Sequence, residues 1–329
     1  MNVKSETVAN AKNAASSGGS EGRENLLGRS VPELEKLFHA LGEKPYRGKQ
    51  VGEWMYARGA TAFDSMTNLP AALRAKLNEE FGIGVLRERS RRETPDRKTR
   101  KVGYEIPGGG IVESVYMSTP SRHTFCLSSQ HGCAFACRFC ATGRMGRGRN
   151  LTAAEIVEQA FRLRGELPPG RSEYNIVMMG MGEPLENYEA VVDVRFRLAV
   201  SLHAATDAQR SKLMPVNQRF PLEQLLRAIR HHVERTGRRV TFEYILLEEL
   251  NDSVADAARL VRLVAQLPCK INLIPYNPIG PGKFKRPSPE RIERFAEYLR
   301  PRVPAVTVRY SQGVEIGAAC GQLAGETET

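Results

Sequence analysis

His123-Thr124-Phe125-Cys126-Leu127-Ser128, a short apolar run, is followed by Cys133-Ala134-Phe135-Ala136-Cys137-Arg138-Phe139-Cys140. The first segment reads as a strand and the second as a cysteine loop at its carboxyl end. From there strands and helices alternate. Strands are predicted at 123–128, 174–179, 197–202, 239–246 and 270–275, and helices at 152–165, 186–194, 221–236, 253–266 and 288–300. Thr152 with Glu155 makes a capping box, and Ser288-Pro289 is a helix start. Such alternation predicts an α/β domain with a parallel sheet, open or curled into a barrel.

Upstream, residues 27–82 read as helical. Ser30-Val31-Pro32-Glu33 is a capping box with proline in the first turn, opening an apolar-periodic segment through Leu41. A second helix is expected over 48–57 around Trp54, the single tryptophan, and a third from Asn68. Residues 87–101 are rich in Arg and Lys, diluted by Glu88, Glu93 and Asp96. Segments 100–106 and 111–117, joined by Pro107-Gly108-Gly109-Gly110, predict a β-hairpin. The expected organisation is a disordered tail over 1–26, a helical and hairpin domain over 27–108, a main domain over 109–325, and a tail over 326–329.

Lys and Arg exceed Asp and Glu by 48 to 37, a net charge of +11. That excess suits an anionic partner, nucleic acid being the commonest, or a basic solvated surface. No stretch approaches the ~18 apolar residues of a membrane span, and residues 1–26 lack the apolar core of a secretory signal, so a cytoplasmic, non-membrane protein is expected. Six cysteines without a secretion signal argue against a disulfide scaffold.

Cys133, Cys137 and Cys140 have C-x3-C-x2-C spacing, which leaves one thiol over if two pair. Three thiolates in one loop can hold a metal centre. A structural zinc takes four protein ligands, so three point to a centre with an open position, such as an iron–sulfur cluster with one iron free. A Cys3His zinc site using His131, or a reactive-thiol group, is the other reading.

The stretch Cys126 to Gly143 resembles the core motif of the radical S-adenosylmethionine (SAM) RNA methyltransferases of the RlmN family, with Cfr as sister group. Further matches occur in family order: Met178-Met179-Gly180-Met181-Gly182-Glu183-Pro184, Ser201-Leu202-His203-Ala204, Ile274-Pro275-Tyr276-Asn277 and Ala319-Cys320-Gly321-Gln322-Leu323. The resemblance spans about 27 to 325 and implies a partial (β/α) barrel of six strands with a small helical accessory domain that docks RNA.

It also implies roles. Cys133, Cys137 and Cys140 would ligate one 4Fe–4S cluster whose fourth iron binds SAM. Gly182, Glu183, Ser201, Leu202, His203 and Asn277 would bind SAM. Cys320 would carry a methyl group and form a crosslink to the RNA base. Cys126 would resolve that crosslink through a disulfide with Cys320, and Glu113 would remove the ring proton. The implied activity is methylation at C2 of an adenosine in 23S rRNA, and in some members of tRNA, with two SAM per turnover. A flavodoxin-type electron donor and a monomeric enzyme are expected. On their own, Cys126 and Cys320 would pass as a core residue and a tail thiol, Glu113 as a solvated hairpin residue, and Cys269 as structural. Arg144, Arg147 and Arg149, the basic run 87–101, and Arg227, Arg230, His231, His232 and Arg235 are candidate phosphate contacts.

One interval departs from the family. Glu183 and Ser201 lie 18 positions apart, where the family has one more strand–helix unit, on the order of 30 residues. Val191-Val192-Asp193-Val194 runs straight into Arg195-Phe196-Arg197-Leu198 with no turn residue. Five barrel strands are therefore expected in place of six. Cfr-like methylation at C8, or a catalytically impaired RNA-binding relative, are the alternative functions.

Overall fold

The computed structural model describes residues 23–191, 198–280 and 282–325. The interval join at 192–197 and most of both tails therefore lie outside the described residues. The chain divides into two compact units, with the break between Val85 and Leu86.

In the first unit, helices run over Val31–Ala40, Tyr46–Gly52 and Ala71–Glu80, and a wide π turn, Glu53–Ala57, continues the second. Leu34, Phe38, Val51, Met55, Leu73 and Leu77 close its core. Gly48 is required where two helices meet, because a Cβ there would lie 2.5 Å from the backbone of Leu34 and Glu35. Trp54 donates its indole N–H to Asn68 Oδ1 at 2.6 Å. The tail read over 1–26 is shortened at its end. Glu24 and Asn25 pair with Phe81 and Gly82, and Leu26 is fully buried, because that leucine fills the helical core.

The second unit contains two larger sheets. Strands β1 (Arg87–Glu93), β2 (Thr99–Glu105), β3 (Ile111–Thr119) and β4 (Arg122–Cys126) form an antiparallel meander, and β5 (Asn175–Val177) joins β4 in parallel. The hairpin expected in the first domain thus belongs to the second unit, since its strands continue the sheet of β4. Strands β6 (Ala199–Ser201), β7 (Val240–Leu246), β8 (Cys269–Pro275) and β9 (Val306–Val308) form an all-parallel sheet. Helices Leu222–Thr236, Val254–Val264 and Pro289–Leu299 make its crossovers, and Ala153–Leu163 links β4 to β5. Among the described residues β5 and β6 do not pair, so the parallel strands fall into groups of two and four.

Three of the elements that were not predicted bear on the fold. Strand β1, with sequence Arg-Glu-Arg-Ser-Arg-Arg-Glu, has no apolar face. It is held by its ladder to β2 and by ion pairs: Arg89 with Glu105, Arg91 with Glu88 and Glu166, and Arg100 with Glu93 and Glu166. Strand β9 and the helix Asp207–Leu213 are the others. The helix read over 186–194 is a 3-10 turn, Pro184–Asn187, running into Tyr188–Val191. Its last residues lie outside the described chain.

In the all-parallel sheet, Phe242, Tyr244 and Leu246 of β7 pack with Leu226, Leu260 and Phe295 of the crossover helices. The opposite face carries Glu243 and Ile245, and Ile245 packs with Phe139 of the cysteine loop. That face positions the site.

Candidate metal and cofactor site

The cysteine loop leaves β4 under close backbone control. Leu127 N–H bonds Val177 O at 2.9 Å, and Gly180 N–H bonds Leu127 O at 3.0 Å. Gln130 and His131 then pair with Asn150 and Arg149. Cys133 N–H bonds Gly146 O at 2.8 Å, Arg138 N–H bonds Leu213 O at 3.0 Å, and Cys140 N–H bonds Cys137 O at 3.2 Å. Phe139 is buried with Leu213, Ile245 and Tyr276, and meets the His203 ring edge-on at 4.8 Å between centroids. Cys137 and Cys140 pack on the same cluster.

Burial pushes the Cys133 thiol up to about 11, with the neighbouring Cys140 adding to it. Burial, then Cys140 and Cys133, push Cys137 up to about 12. The three sulfurs are thus electrostatic neighbours. Among the described residues no group of three or more His, Cys, Asp or Glu side chains is placed so as to hold a metal ion, and the His131 ring lies against the backbone of Gly110 and Gly148. The loop itself nevertheless offers three soft sulfurs, two of which, Cys137 and Cys140, pack on an apolar cluster. It suits a thiolate-held iron centre, whose positive charge would favour the ionised sulfurs that burial disfavours.

Gly182 and Glu183 follow β5. Gly182 has φ +94°, and a Cβ there would stand 2.5 Å from Gln130 Cβ, so glycine is required for the approach of this turn to the cysteine loop. Glu183 N–H donates to Gln130 Oε1 at 2.7 Å, and its carboxylate accepts from Leu185 N–H at 3.2 Å. Burial raises its pKa, with a further push from Glu186. Glu183 in turn adds to the raised pKa of Cys133 and Cys137.

Ser201, Leu202 and His203 end β6. Ser201 is exposed. Leu202 is buried, donates its N–H to Glu243 O at 3.0 Å, and gives its carbonyl to Arg210 Nε at 3.1 Å. His203 is buried at φ +59°, and its Nδ1 accepts from Ile245 N–H at 3.1 Å. Burial, and Arg210 beside it, depress the imidazole to about 3, so it is neutral. Asn277, after β8, donates to Ser311 Oγ at 2.9 Å and to Cys320 O at 3.1 Å, and accepts from Arg286 at 2.8 Å. Its side chain fixes the backbone that bears Cys320.

Cys320 is raised chiefly by burial, with Glu243 and Cys140 adding and Arg309 opposing. Cys126 is pushed up to about 12 by burial and then by Cys320. All six cysteines are free. The structure shows no disulfide between Cys126 and Cys320, contrary to the one expected: both thiols are free, Cys126 buried and Cys320 half-buried.

Glu113 is no solvated hairpin residue. It is 1 % exposed and bonds Lys101 Nζ at 2.7 Å, and its other oxygen accepts from Ala324 N–H at 2.7 Å and Gly325 N–H at 3.1 Å. The segment from Cys320 onward is also tied to the cysteine loop. Ala141 N–H bonds Gly321 O at 2.7 Å, and Thr142 Oγ1 donates to Leu323 O at 2.7 Å. Lys101, placed in the basic run 87–101 as a candidate phosphate contact, is instead buried against Glu113, and Glu243 was passed over because its only signal was a charged residue within a strand pattern.

Among the basic candidates, much of the run 87–101 is neutralised by its own acids, and Arg149 is bidentate to Glu155. Arg144 instead lines a cavity of about 520 Å³ with Arg138, Lys212, Lys283, Leu213 and Phe284. Among the described residues no carboxylate lines it.

The profile of the Ribosomal RNA large subunit methyltransferase N-terminal domain matches residues 24–83, and that of the Radical SAM superfamily matches 127–196. A dual-specificity RNA methyltransferase RlmN from an Anaeromyxobacter species is 43% identical over 93% of this chain and 92% of its own. A probable RlmN from Symbiobacterium thermophilum is 40% identical over 92% and 91%. A radical SAM methyltransferase from Sphaerobacter thermophilus, solved by crystallography, superposes with TM-score 0.88 at 42% identity, over 92% of this chain and all of that one.

Proposed function

We propose, from the premise that this chain belongs to the RlmN family of radical SAM RNA methyltransferases, that it methylates C2 of an adenosine in 23S rRNA, and in tRNA as well. The observation that carries the reading is that hydrogen bonds tie the three-thiol loop to Glu183, through Gln130, and to the segment bearing Cys320, through Ala141 and Gly321. Cys133, Cys137 and Cys140 would hold one 4Fe–4S cluster that, with SAM on its fourth iron, supplies one-electron cleavage of the sulfonium.

The remaining roles fall to this chain's own groups. Gly182, Glu183 and the strand end Ser201-Leu202-His203 form the SAM wall. Asn277 acts by holding the backbone carbonyl of Cys320. Cys320 carries the methyl group to the base, and Cys126 acts on the resulting linkage to release the product. Glu113 takes the ring proton once the amides of Ala324 and Gly325 leave its Oε2. Phe139 shields the loop from water. The cavity of Arg138, Arg144, Lys212 and Lys283 suits phosphates of the RNA, and the N-terminal unit docks structured RNA by shape. A flavodoxin-type reductant, a monomeric state and a cytoplasmic setting complete the reading. Among the described residues no helix is long and apolar enough to cross a membrane.

The SAM barrel we infer lacks one strand–helix unit between β5 and β6. Two observations support this: β5 and β6 do not pair among the described residues, and the alignment to the Anaeromyxobacter relative runs to 348 positions although only 93% of this 329-residue chain takes part. They also favour a second reading, an RNA-binding relative with impaired catalysis. Anaerobic purification with iron, sulfide and zinc analysis tests the centre. Deoxyadenosine formation from SAM and the isomer of methyladenosine in digested RNA test the reaction. A zinc-loaded, colourless protein sinks the catalytic reading, while a loaded cluster without deoxyadenosine favours the impaired relative.

A further inference from the structure

Glu243 lies midway along β7, is 5 % exposed, and has one carboxylate oxygen, Oε2, buried with no hydrogen-bond partner among the described residues. A buried carboxylate oxygen without a donor is costly, and such groups are few in folded proteins. Its other oxygen ends a directional chain across three strands. Thr307 Oγ1 donates to Asn272 Oδ1, and Asn272 Nδ2 donates to Glu243 Oε1 at 2.9 Å. The three residues are in register, Thr307 with Asn272 and Asn272 with Glu243, and Ser201 is the next in the same row. This polar row runs on the face opposite Phe242 and Tyr244, which pack on the crossover helices. It shares that face with Ile245, which packs on the cysteine loop. Asn272 and Thr307 brace the carboxylate from one side, and the free oxygen is left for a donor that none of the described residues provides. Cys320 lies close enough for Glu243 to raise its thiol.

We propose that Glu243 is a cofactor-binding residue that accepts a hydrogen bond from a ribose hydroxyl of SAM. The inference rests on the SAM-binding reading above and adds to it a residue that no motif identified. With the amino end of SAM assigned to the iron centre and Glu183, the sugar hydroxyls and the adenine amine are left for the strand faces. A carboxylate at a strand is suited to a ribose hydroxyl, as in dinucleotide-binding sheets. Ser201, in register beside it, offers a second polar group to the same sugar. The Asn272–Thr307 chain keeps the carboxylate from turning away.

The test measures binding rather than turnover. Iron-loaded, full-length protein is dialysed anaerobically against SAM and against its two monodeoxy-ribose analogues. Wild type is expected to hold SAM about tenfold to a hundredfold more tightly than one of the analogues, the usual range for a charge-assisted hydrogen bond. Glu243→Gln is expected to weaken SAM by a similar factor and to hold SAM and that analogue equally. Its urea midpoint should match or exceed that of wild type, since a buried carboxylate with no donor on Oε2 is replaced by an amide. Equal affinity of wild type for SAM and both analogues overturns the proposal without recourse to any variant. Unchanged SAM affinity in Glu243→Gln overturns it as well and leaves the SAM-binding reading intact. Failure of iron-loaded wild type to bind SAM at all sinks that reading, and the proposal with it.

Discussion

Replacing Lys101 by Met tests whether the buried Lys101–Glu113 pair is a structural unit. Their side chains are 7 % and 1 % exposed, with nitrogen and oxygen 2.7 Å apart. Removing one partner of such a pair strands the other charge, at a cost of about 3–5 kcal/mol. Glu113 keeps two backbone donors, Ala324 and Gly325, on its other oxygen, so the lower end, about 3 kcal/mol, is expected. That is a loss of more than a hundredfold in the folding equilibrium. The double variant Lys101→Met, Glu113→Leu removes both charges and should cost less than Lys101→Met alone, because no stranded ion remains. The assay is urea unfolding followed by far-ultraviolet circular dichroism, with tryptophan fluorescence read in parallel. The single tryptophan, Trp54, lies in the N-terminal unit, so its transition serves as an internal control and should not move. A cost below about 1 kcal/mol for Lys101→Met, or a double variant whose cost equals the sum of the singles, refutes the coupling.

His203 predicts an acid slope. Its folded value of about 3 lies below the ordinary ~6.5, so the unfolded chain binds the extra proton first. The contribution is complete above ~6.5 and is lost as pH falls towards the folded value, at about 1.4 kcal/mol per pH unit. Urea midpoints of the second unit from pH 7 to 5 should record about 2 kcal/mol of loss. His203→Asn, which keeps an acceptor for Ile245 N–H and tolerates positive φ, should flatten that slope; a persistent slope assigns it elsewhere. Gly48→Ala should destabilise the N-terminal unit by roughly 1–3 kcal/mol through overpacking, read as an earlier Trp54 transition, and an unmoved transition refutes the close approach. In the methylation assay, Cys320→Ala should abolish product and Cys126→Ala should accumulate an RNA–protein crosslink. Free RNA from the latter argues against its release role.

The parts of this molecule that were legible in sequence are those whose determinants are local. Thr152 with Glu155, and Ser288 with Pro289, start helices within one residue of their predicted positions, because a cap is satisfied by its own first turn. Strands β7 and β8 are legible because each is an apolar run long enough to show its bounds. Strand β9 has three residues and shows no period. Strand β1 shows no apolar face because its charges are answered by Glu105 and Glu166, the latter 75 positions away from Arg91. The same non-locality hid the setting of Glu113. Its alternating hairpin reads as half solvated, and nothing nearby in sequence announces that the segment around Ala324 returns to cover it.

Glu243 was hidden for a different physical reason. Phe242 and Tyr244 alternate with Thr241 and Glu243, a pattern that in an antiparallel sheet would mean one dry and one wet face. Periodicity records only that a face is polar. It does not distinguish water from the interior of a ligand site, because both reward the same side chains. The distinction is in the hydrogen-bond inventory: a carboxylate facing bulk water satisfies both oxygens at no cost, whereas Glu243 is buried with Oε1 bonded to Asn272 and Oε2 to nothing among the described residues. That asymmetry is what a cofactor sugar would remove, and it becomes visible only when the strands are laid side by side in register.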